Sequence, residues 1–231
     1  MLVFGHRGSR SPGPDNSVAA VSGALSAGAD GVEVDLRRAS DGRLVLCHDA
    51  VVRGRPVRTQ TPRELAEGGV PLLTEVLTAC RGRGRVVCEV KNSPGEPDHD
   101  PSAGLTLAAL LSVLEPADDV VVSSFDARVA AAAGGAGVRS ALLTRPGTTV
   151  GAGVAAALAG GQAELHAHVS SARVDRSAPR RAHDAGLSLV VWTVSRLTQA
   201  RRLMSAGADG VIADDPAAVV ADLRRGQARD G

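Results

Sequence analysis

Aromatic residues are almost absent: the 231-residue chain has two Phe, one Trp and no Tyr. Its core must be built from Ala, Val and Leu, and the places of Phe4, Phe125 and Trp192 therefore carry information. Net charge is nearly absent too, at +1 with acids and bases interspersed, so nothing points to nucleic acid or a membrane surface as a partner. The densest basic patch, Arg81-Gly82-Arg83-Gly84-Arg85, reads as a solvated loop before a strand. Cysteines are few and odd in number (Cys47, Cys80, Cys88) and lack metal-ligand spacing, so they read as small core residues in a reducing compartment. No apolar run approaches membrane-spanning length, and no charged n-region with an apolar h-region precedes the first strand. The expected location is the cytoplasm. No Pro/Gly/Ser-rich linker or low-complexity tract divides the chain, which is expected to form one domain.

Short apolar runs alternate with amphipathic helical stretches from end to end, the pattern of a parallel sheet covered by helices. Strands are expected over residues 2–4, 31–36, 86–91, 120–124, 138–143, 163–169, 187–194 and 211–213. The first helix starts at about Ser17, with Val18, Val21 and Leu25 on one face and Gly28 closing it. Others are expected over 74–79, along a 107–114 leucine stripe stopped at Pro116, and over 126–133, 150–158, 175–185 and 197–206. Asp215 caps a last helix with Pro216 in its first turn. After the second strand, a Ser40-Asp41-Gly42-Arg43 turn leads to a run ending at His48, the start of a short insertion. Eight strands each followed by a helix, within the roughly 250 residues usual for that fold, predict an α/β chain folded as a (β/α)8 TIM barrel. An open doubly wound sheet is the competitor. Against it, no Gly-x-Gly-x-x-Gly follows the first strand, and Gly134-Gly135-Ala136-Gly137 lies between a helix and a strand, the wrong place to cradle phosphate.

In the run Gly31-Val32-Glu33-Val34-Asp35-Leu36, two carboxylates share one face and the apolar residues the other. Adjacent acids facing an interior repel each other and lose hydration, which is tolerable only beside a cation. The chain contains its own comparison, because residues 26–35 recur as 205–214 with Ile212 standing where the first copy has Glu33. The turn does not need the glutamate. A parallel barrel collects its active site at the carboxyl ends of the strands. Those ends supply His6 and Arg7, Glu33 and Asp35, His48 and Asp49, Glu89 and Lys91, Ser124, Phe125 and Asp126, and Trp192. All three aromatics fall at or near this end and are expected to line a ligand pocket. Glu33, Asp35 and Glu89 offer three hard oxygen ligands suited to Mg²⁺ or Ca²⁺ and ill suited to zinc. The competing arrangement is a buried ionic cluster of these acids with Arg7 and Lys91. His6 and His48 flank the acids, one placed to remove a proton and the other to deliver one. Arg7 and Lys91 suit the non-bridging oxygens of a phosphate. A divalent metal, cationic clamps and an acid/base pair together are the equipment for phosphodiester cleavage. His99 falls in a polar loop, His183 on a helix, and His166 and His168 on one face of the sixth strand, where a structural placement is expected.

These residues together resemble the glycerophosphodiester phosphodiesterase family across nearly the whole chain. The resemblance is carried by His6-Arg7-Gly8, by Gly28 through Asp35, and by His48-Asp49. It continues through Glu89-Val90-Lys91, Ser124-Phe125-Asp126, Trp192-Thr193-Val194 and residues 207–216, in order. It implies metal-dependent hydrolysis of a small-molecule glycerophosphodiester to sn-glycerol 3-phosphate and an alcohol. The implied roles are Glu33, Asp35 and Glu89 on the metal, His6 and His48 as acid and base, Arg7 and Lys91 on phosphate, and Trp192 bordering the substrate with Phe125 beside it. It further implies attack by the neighbouring glycerol hydroxyl, giving a cyclic phosphate that water opens; an intramolecular hydroxyl gains greatly in effective concentration. The chain departs from the family pattern at Asp15 and Ser17 (within Pro14-Asp15-Asn16-Ser17), at Ser195 and at Ala213, and its 50–70 segment is shorter than usual. Two other readings remain: a lysophospholipase-D-like activity on lipid diesters, and a catalytically silent barrel acting as a binding protein. The second predicts loss of one or more of the site residues, and all are present.

Overall fold

On every barrel strand, alternate residues face two different cores. Val32, Val34 and Leu36 on one strand, and Val86, Cys88 and Val90 on the next, pack outward against helices, while Phe4, Val87, Val121, Ala141, Val190 and Ile212 meet inside the barrel. The structure, a computed structural model, describes residues 1–230. Its barrel strands are β1 (Leu2–His6), β2 (Gly31–Arg38), β6 (Arg85–Val90), β7 (Val120–Ser124), β8 (Ser140–Leu143), β9 (Glu164–His168), β10 (Ser188–Val194) and β11 (Gly210–Ala213). Each pairs in parallel with its neighbours, and β1 closes the ring by pairing with both β2 and β11. The expected (β/α)8 barrel is therefore the fold, and an open sheet is not.

The helices of the ring are α1 (Val18–Ser26), α3 (Leu73–Cys80), α4 (Leu105–Leu111), α5 (Ala127–Gly135), α6 (Val150–Ala159), α8 (Ala178–Asp184), α9 (Leu197–Ala206) and α10 (Pro216–Asp230). Ser17 caps α1, its hydroxyl accepting the Ala20 N–H at 3.0 Å, as the sequence predicts. The internal repeat has a structural basis. Gly28 and Gly207 both take the left-handed conformation, φ +91° and +90°, that a residue with a Cβ resists. Asp30 then accepts the Val3 N–H at 2.8 Å, and its counterpart Asp209 accepts that of Leu189 at 2.7 Å. The shared residues thus fasten a helix-to-strand turn to the neighbouring strand. The exchange of Glu33 for Ile212 leaves that fastening untouched.

Several boundaries differ from the expected ones, each for a local reason. The sixth barrel strand stops at His168 and not at Val169, because the His168 ring accepts the Ser170 N–H at 3.2 Å and caps a short, unforeseen helix α7 (Val169–Val174). The fifth begins at Ser140, since the Val138 N–H turns back to the Ala133 carbonyl at 3.1 Å. The leucine-striped helix ends at Leu111. The insertion after β2 is more structured than expected: β3 (Leu44–Leu46) pairs antiparallel with β2. A two-stranded hairpin of β4 (Val51–Val52) and β5 (Arg55–Pro56) and helix α2 (Pro62–Ala66) follow. Phe4 is also placed differently. It is 2% exposed and plugs the barrel below the mouth, so two of the three aromatics line the pocket. Among the described residues, no helix is long and apolar enough to cross a membrane.

Candidate active site

Strand register assembles the site. His6, the last residue of β1, is the register partner of Glu33; Asp35 is the partner of Glu89, and Glu89 of Ser123. Paired residues on one face lie side by side, so adjacent strands bring three buried carboxylates together. One oxygen from each of Glu33, Asp35 and Glu89 lies within 4.8 Å of the others. Two backbone features aim them. Arg7 adopts φ 55°, a left-handed conformation that costs a non-glycine residue about 1–2 kcal/mol, and its N–H donates to Glu33 Oε2 at 3.2 Å. Asn16, at φ 60°, clamps Asp35 from both sides: its Nδ2 donates to Oδ2 at 2.8 Å and its Oδ1 accepts the Asp35 N–H at 3.0 Å.

Both expected cations reach the acids. Lys91, the only lysine of the chain, places Nζ 2.7 Å from Asp35 Oδ1 and 2.5 Å from Glu89 Oε1. Arg7 Nε lies 2.9 Å from Asp35 Oδ2. These contacts to Asp35 are at ion-pair distance but misaligned as hydrogen bonds, so Arg7 Nε and Asp35 Oδ1 are buried without a hydrogen-bond partner. Glu33 makes no ion pair among the described residues. The buried ionic cluster weighed as the competing arrangement is thus present but incomplete. With all three ionised, the carboxylates would exceed one ammonium and one guanidinium by one negative charge in a largely buried site.

Burial first, and that imbalance after it, set the protonation of the acids. Burial, followed by the charges of Asp35 and Glu89, pushes Glu33 well above the usual carboxylate range. Burial also raises Glu89, although Lys91 opposes it. For Asp35, burial is outweighed by Lys91 and Arg7, which hold it low; for Lys91, burial is outweighed by Glu89 and Asp35, which hold it high. A glutamate without an ion pair, an Asp35 oxygen without a hydrogen-bond partner and an all-oxygen donor set fit a divalent cation of the Mg²⁺ or Ca²⁺ kind. A pH dependence follows. A group whose folded pKa is raised stabilises the fold below its unfolded value, for Glu33 about 4.5, and that contribution is lost as pH rises through the folded value. Thermal melting in chelator is therefore expected to show this loss as pH rises above about 4.5, and Mg²⁺ or Ca²⁺, or Glu33→Gln, to suppress it. A melting profile unaffected by metal would remove the cation from this position.

Both histidines are oriented by an acid. His6 Nδ1 is 3.1 Å from Asp214 Oδ1 and His48 Nδ1 is 2.8 Å from Asp49 Oδ1, which leaves each Nε2 available to a ligand. Burial, then the charge of Arg7, lowers the His6 pKa, and Asp214 opposes that. His6, Arg7, Glu33, His48, Glu89, Lys91, Phe125 and Trp192 line one inner cavity of about 150 Å³, with Ile212 on its floor. Asp35 lies just beneath it. Phe125 and Trp192 meet edge to face at 5.5 Å, and His168 meets Trp192 at 5.0 Å. His166 is fully buried and paired with Glu164 at 2.8 Å, a structural placement as expected. Beside the inner cavity lies an outer one of about 490 Å³ that shares His48, Glu89, Lys91 and Phe125 with it.

Residues 6–218 match the glycerophosphoryl diester phosphodiesterase family. The chain belongs to that family. It is 33% identical over 111 residues to a glycerophosphodiester phosphodiesterase of Bacillus altitudinis, a match spanning 39% of this chain and 45% of that one. To the uncharacterized protein YqiK of Bacillus subtilis it is 27% identical over 240 residues, 93% and 95% of the two chains. In fold it is similar to a glycerophosphodiester phosphodiesterase of Thermotoga maritima (TM-score 0.80, 24% identity, 95% and 97% of the two chains). It is similar also to an Oleispira antarctica phosphodiesterase determined with its product, sn-glycerol 3-phosphate (TM-score 0.83, 21% identity, 97% of each). The enzyme class that the residues implied is that of the family.

Within this glycerophosphoryl diester phosphodiesterase fold, three residues at the site had no role in the sequence reading. Asn16 holds Asp35. Asp214 holds His6. Arg37, 1% exposed at its side chain, donates from Nε and Nη2 to the His48 carbonyl at 3.0 and 2.7 Å and is itself gripped by Asp98 and Glu96. It fixes the loop that carries His48. Its signal lay in the alternation Glu33-x-Asp35-x-Arg37, which places all three on the inner face.

Proposed function

We propose that the protein hydrolyses glycerophosphodiesters to sn-glycerol 3-phosphate and an alcohol, with a divalent cation held by Glu33, Asp35 and Glu89. The observation that carries this reading is the trio of buried carboxylates within 4.8 Å of one another, flanked by His6 and His48 in a chain of this family. When bound, the cation offsets charge on the phosphoryl oxygens and lowers the barrier to attack there. Arg7 and Lys91 face the same cavity and bind the non-bridging oxygens, orienting phosphorus between the two imidazoles. His6, kept neutral by its burial, takes the proton from the glycerol hydroxyl that attacks phosphorus. His48 delivers a proton to the departing alkoxide, giving the free alcohol and a cyclic phosphate. Water then opens the ring with the two roles exchanged, releasing glycerol 3-phosphate. Trp192 and Phe125 exclude solvent from one wall. The inner cavity, about 150 Å³, suits the glycerol phosphate part, and the outer one the alcohol.

Release of glycerol 3-phosphate from glycerophosphoglycerol, glycerophosphocholine and a lysophospholipid is the test. It is expected from the water-soluble diesters with Mg²⁺ or Ca²⁺ and to cease on chelation. Release that survives chelation would overturn the part given to the cation. No release from any substrate with either metal would overturn the reaction.

A further inference from the structure

The outer cavity contains a cation that nothing in the reaction uses. Arg145 follows β8, is exposed, and lies on the wall shared with Phe125 and His48. Its guanidinium sits 4.8 Å from the centre of the Phe125 ring, and it makes no ion pair among the described residues. The other charged groups of that wall are committed. Arg37 is held by Asp98 at 2.7 Å and Glu96 at 3.0 Å, Asp49 by His48 at 2.8 Å, and Lys91 by Glu89 and Asp35.

Resting on the phosphodiesterase reading above, the geometry points to Arg145 as the residue that selects the leaving alcohol, favouring one that carries a second anionic group, a phosphate or a carboxylate. Stacking on Phe125 removes rotamer freedom in advance and keeps the fork of donors turned toward the cavity. An anion in the outer cavity would meet an unpaired guanidinium already in place. A quaternary ammonium headgroup would find the opposite. The Phe125 face suited to a cation is occupied by Arg145 itself, and the acids of that wall, Glu96, Asp49 and Glu89, are tied to Arg37, His48 and Lys91. Arg145 thus acts on the alcohol part, while Arg7 and Lys91 act on the scissile phosphate.

The experiment compares kcat/KM for glycerophosphoglycerol, the same diester with a phosphate on its terminal hydroxyl, and glycerophosphocholine, in the metal-loaded enzyme and in Arg145→Gln. The phosphorylated substrate is expected to be favoured about tenfold over glycerophosphoglycerol, as for a charge-assisted hydrogen bond at a partly exposed site. Glycerophosphocholine should be the poorest of the three. In Arg145→Gln the preference should fall to near unity while glycerophosphoglycerol is turned over as before; Arg145→Lys should retain part of it. Equal loss on all three substrates would place Arg145 on the scissile phosphate and overturn the proposal. An unchanged ratio would leave it as packing on Phe125 and overturn it equally. Calorimetric binding of the first two substrates reads the same ratio without turnover. A chain that hydrolyses neither yet binds the phosphorylated one about tenfold tighter would refute the reaction but keep Arg145 as the selector; equal binding would refute the selector alone.

Discussion

Alanine at His6 or at His48 is expected to lower kcat by about 10²–10⁴-fold, the size of effect that removal of a positioned general acid or base produces. Neither change should disturb the fold. His6 sits at the end of a strand and His48 is 48% exposed at its side chain, so neither fills core space. Circular dichroism and denaturant midpoints serve as the control. The two variants should differ in their pH profiles. Burial and Arg7 depress the His6 pKa below 6.5, and a base is lost when it is protonated. Activity dependent on His6 is therefore present above the depressed value and falls as pH drops through it. Asp214→Asn removes the carboxylate that raises the His6 pKa, so this acid limb should move to lower pH in that variant. A His6→Ala enzyme with near wild-type kcat would end the acid/base assignment.

Lys91→Met is expected to destabilise the metal-free protein by about 3–5 kcal/mol near neutral pH, the cost of stripping one partner from a buried ion pair. Lys91 is 10% exposed at its side chain and Asp35 1%, so Asp35 above all is left with little hydration to replace the ammonium. Two treatments should restore part of the loss. A divalent cation substitutes for the ammonium, and lower pH protonates Glu33 and Glu89, both already raised by burial. Urea unfolding in chelator, in added metal and at two pH values separates these effects. A loss under about 1 kcal/mol, the range of an exposed pair, would mean the acids do not depend on Lys91 for charge balance. Activity should fall in all conditions, because no methionine contacts a phosphoryl oxygen with charge.

The barrel and its cluster of acids were legible because two kinds of periodicity coincide in the chain. Apolar runs at βα spacing define the eight strands, and acids two apart within such runs mark positions where burial needs a reason. The repeat sharpened that by supplying Ile212 as the counterpart of Glu33. Both side chains face the same cavity, so the comparison isolates chemistry from architecture. Asn16, Arg37 and Asp214 were harder to see, since each acts through a partner far along the chain: Asn16 through Asp35, Arg37 through the His48 carbonyl and Asp98, and Asp214 through His6. Local pattern has no access to pairings set by barrel closure. Phe4 misled for a related reason. Proximity to the mouth in sequence does not separate a residue one layer below the opening from one that lines it. The boundary shifts at His168 and Val138 arise from side-chain capping and a backward-turning amide, which compete with the ladder residue by residue.

The contact between His6 and Asp214 joins residues 208 apart in the chain, one on the first stave and one just past the last. It therefore straddles the seam at which the ring is sealed. A molecule folded only through its seventh stave would already own Glu33, Asp35, Glu89 and both imidazoles, yet without Asp214 the first imidazole would hang unaligned. Turnover thus serves as a reporter of seam closure: any treatment that pries the first and last staves apart should silence the enzyme while its trio of acids is still whole.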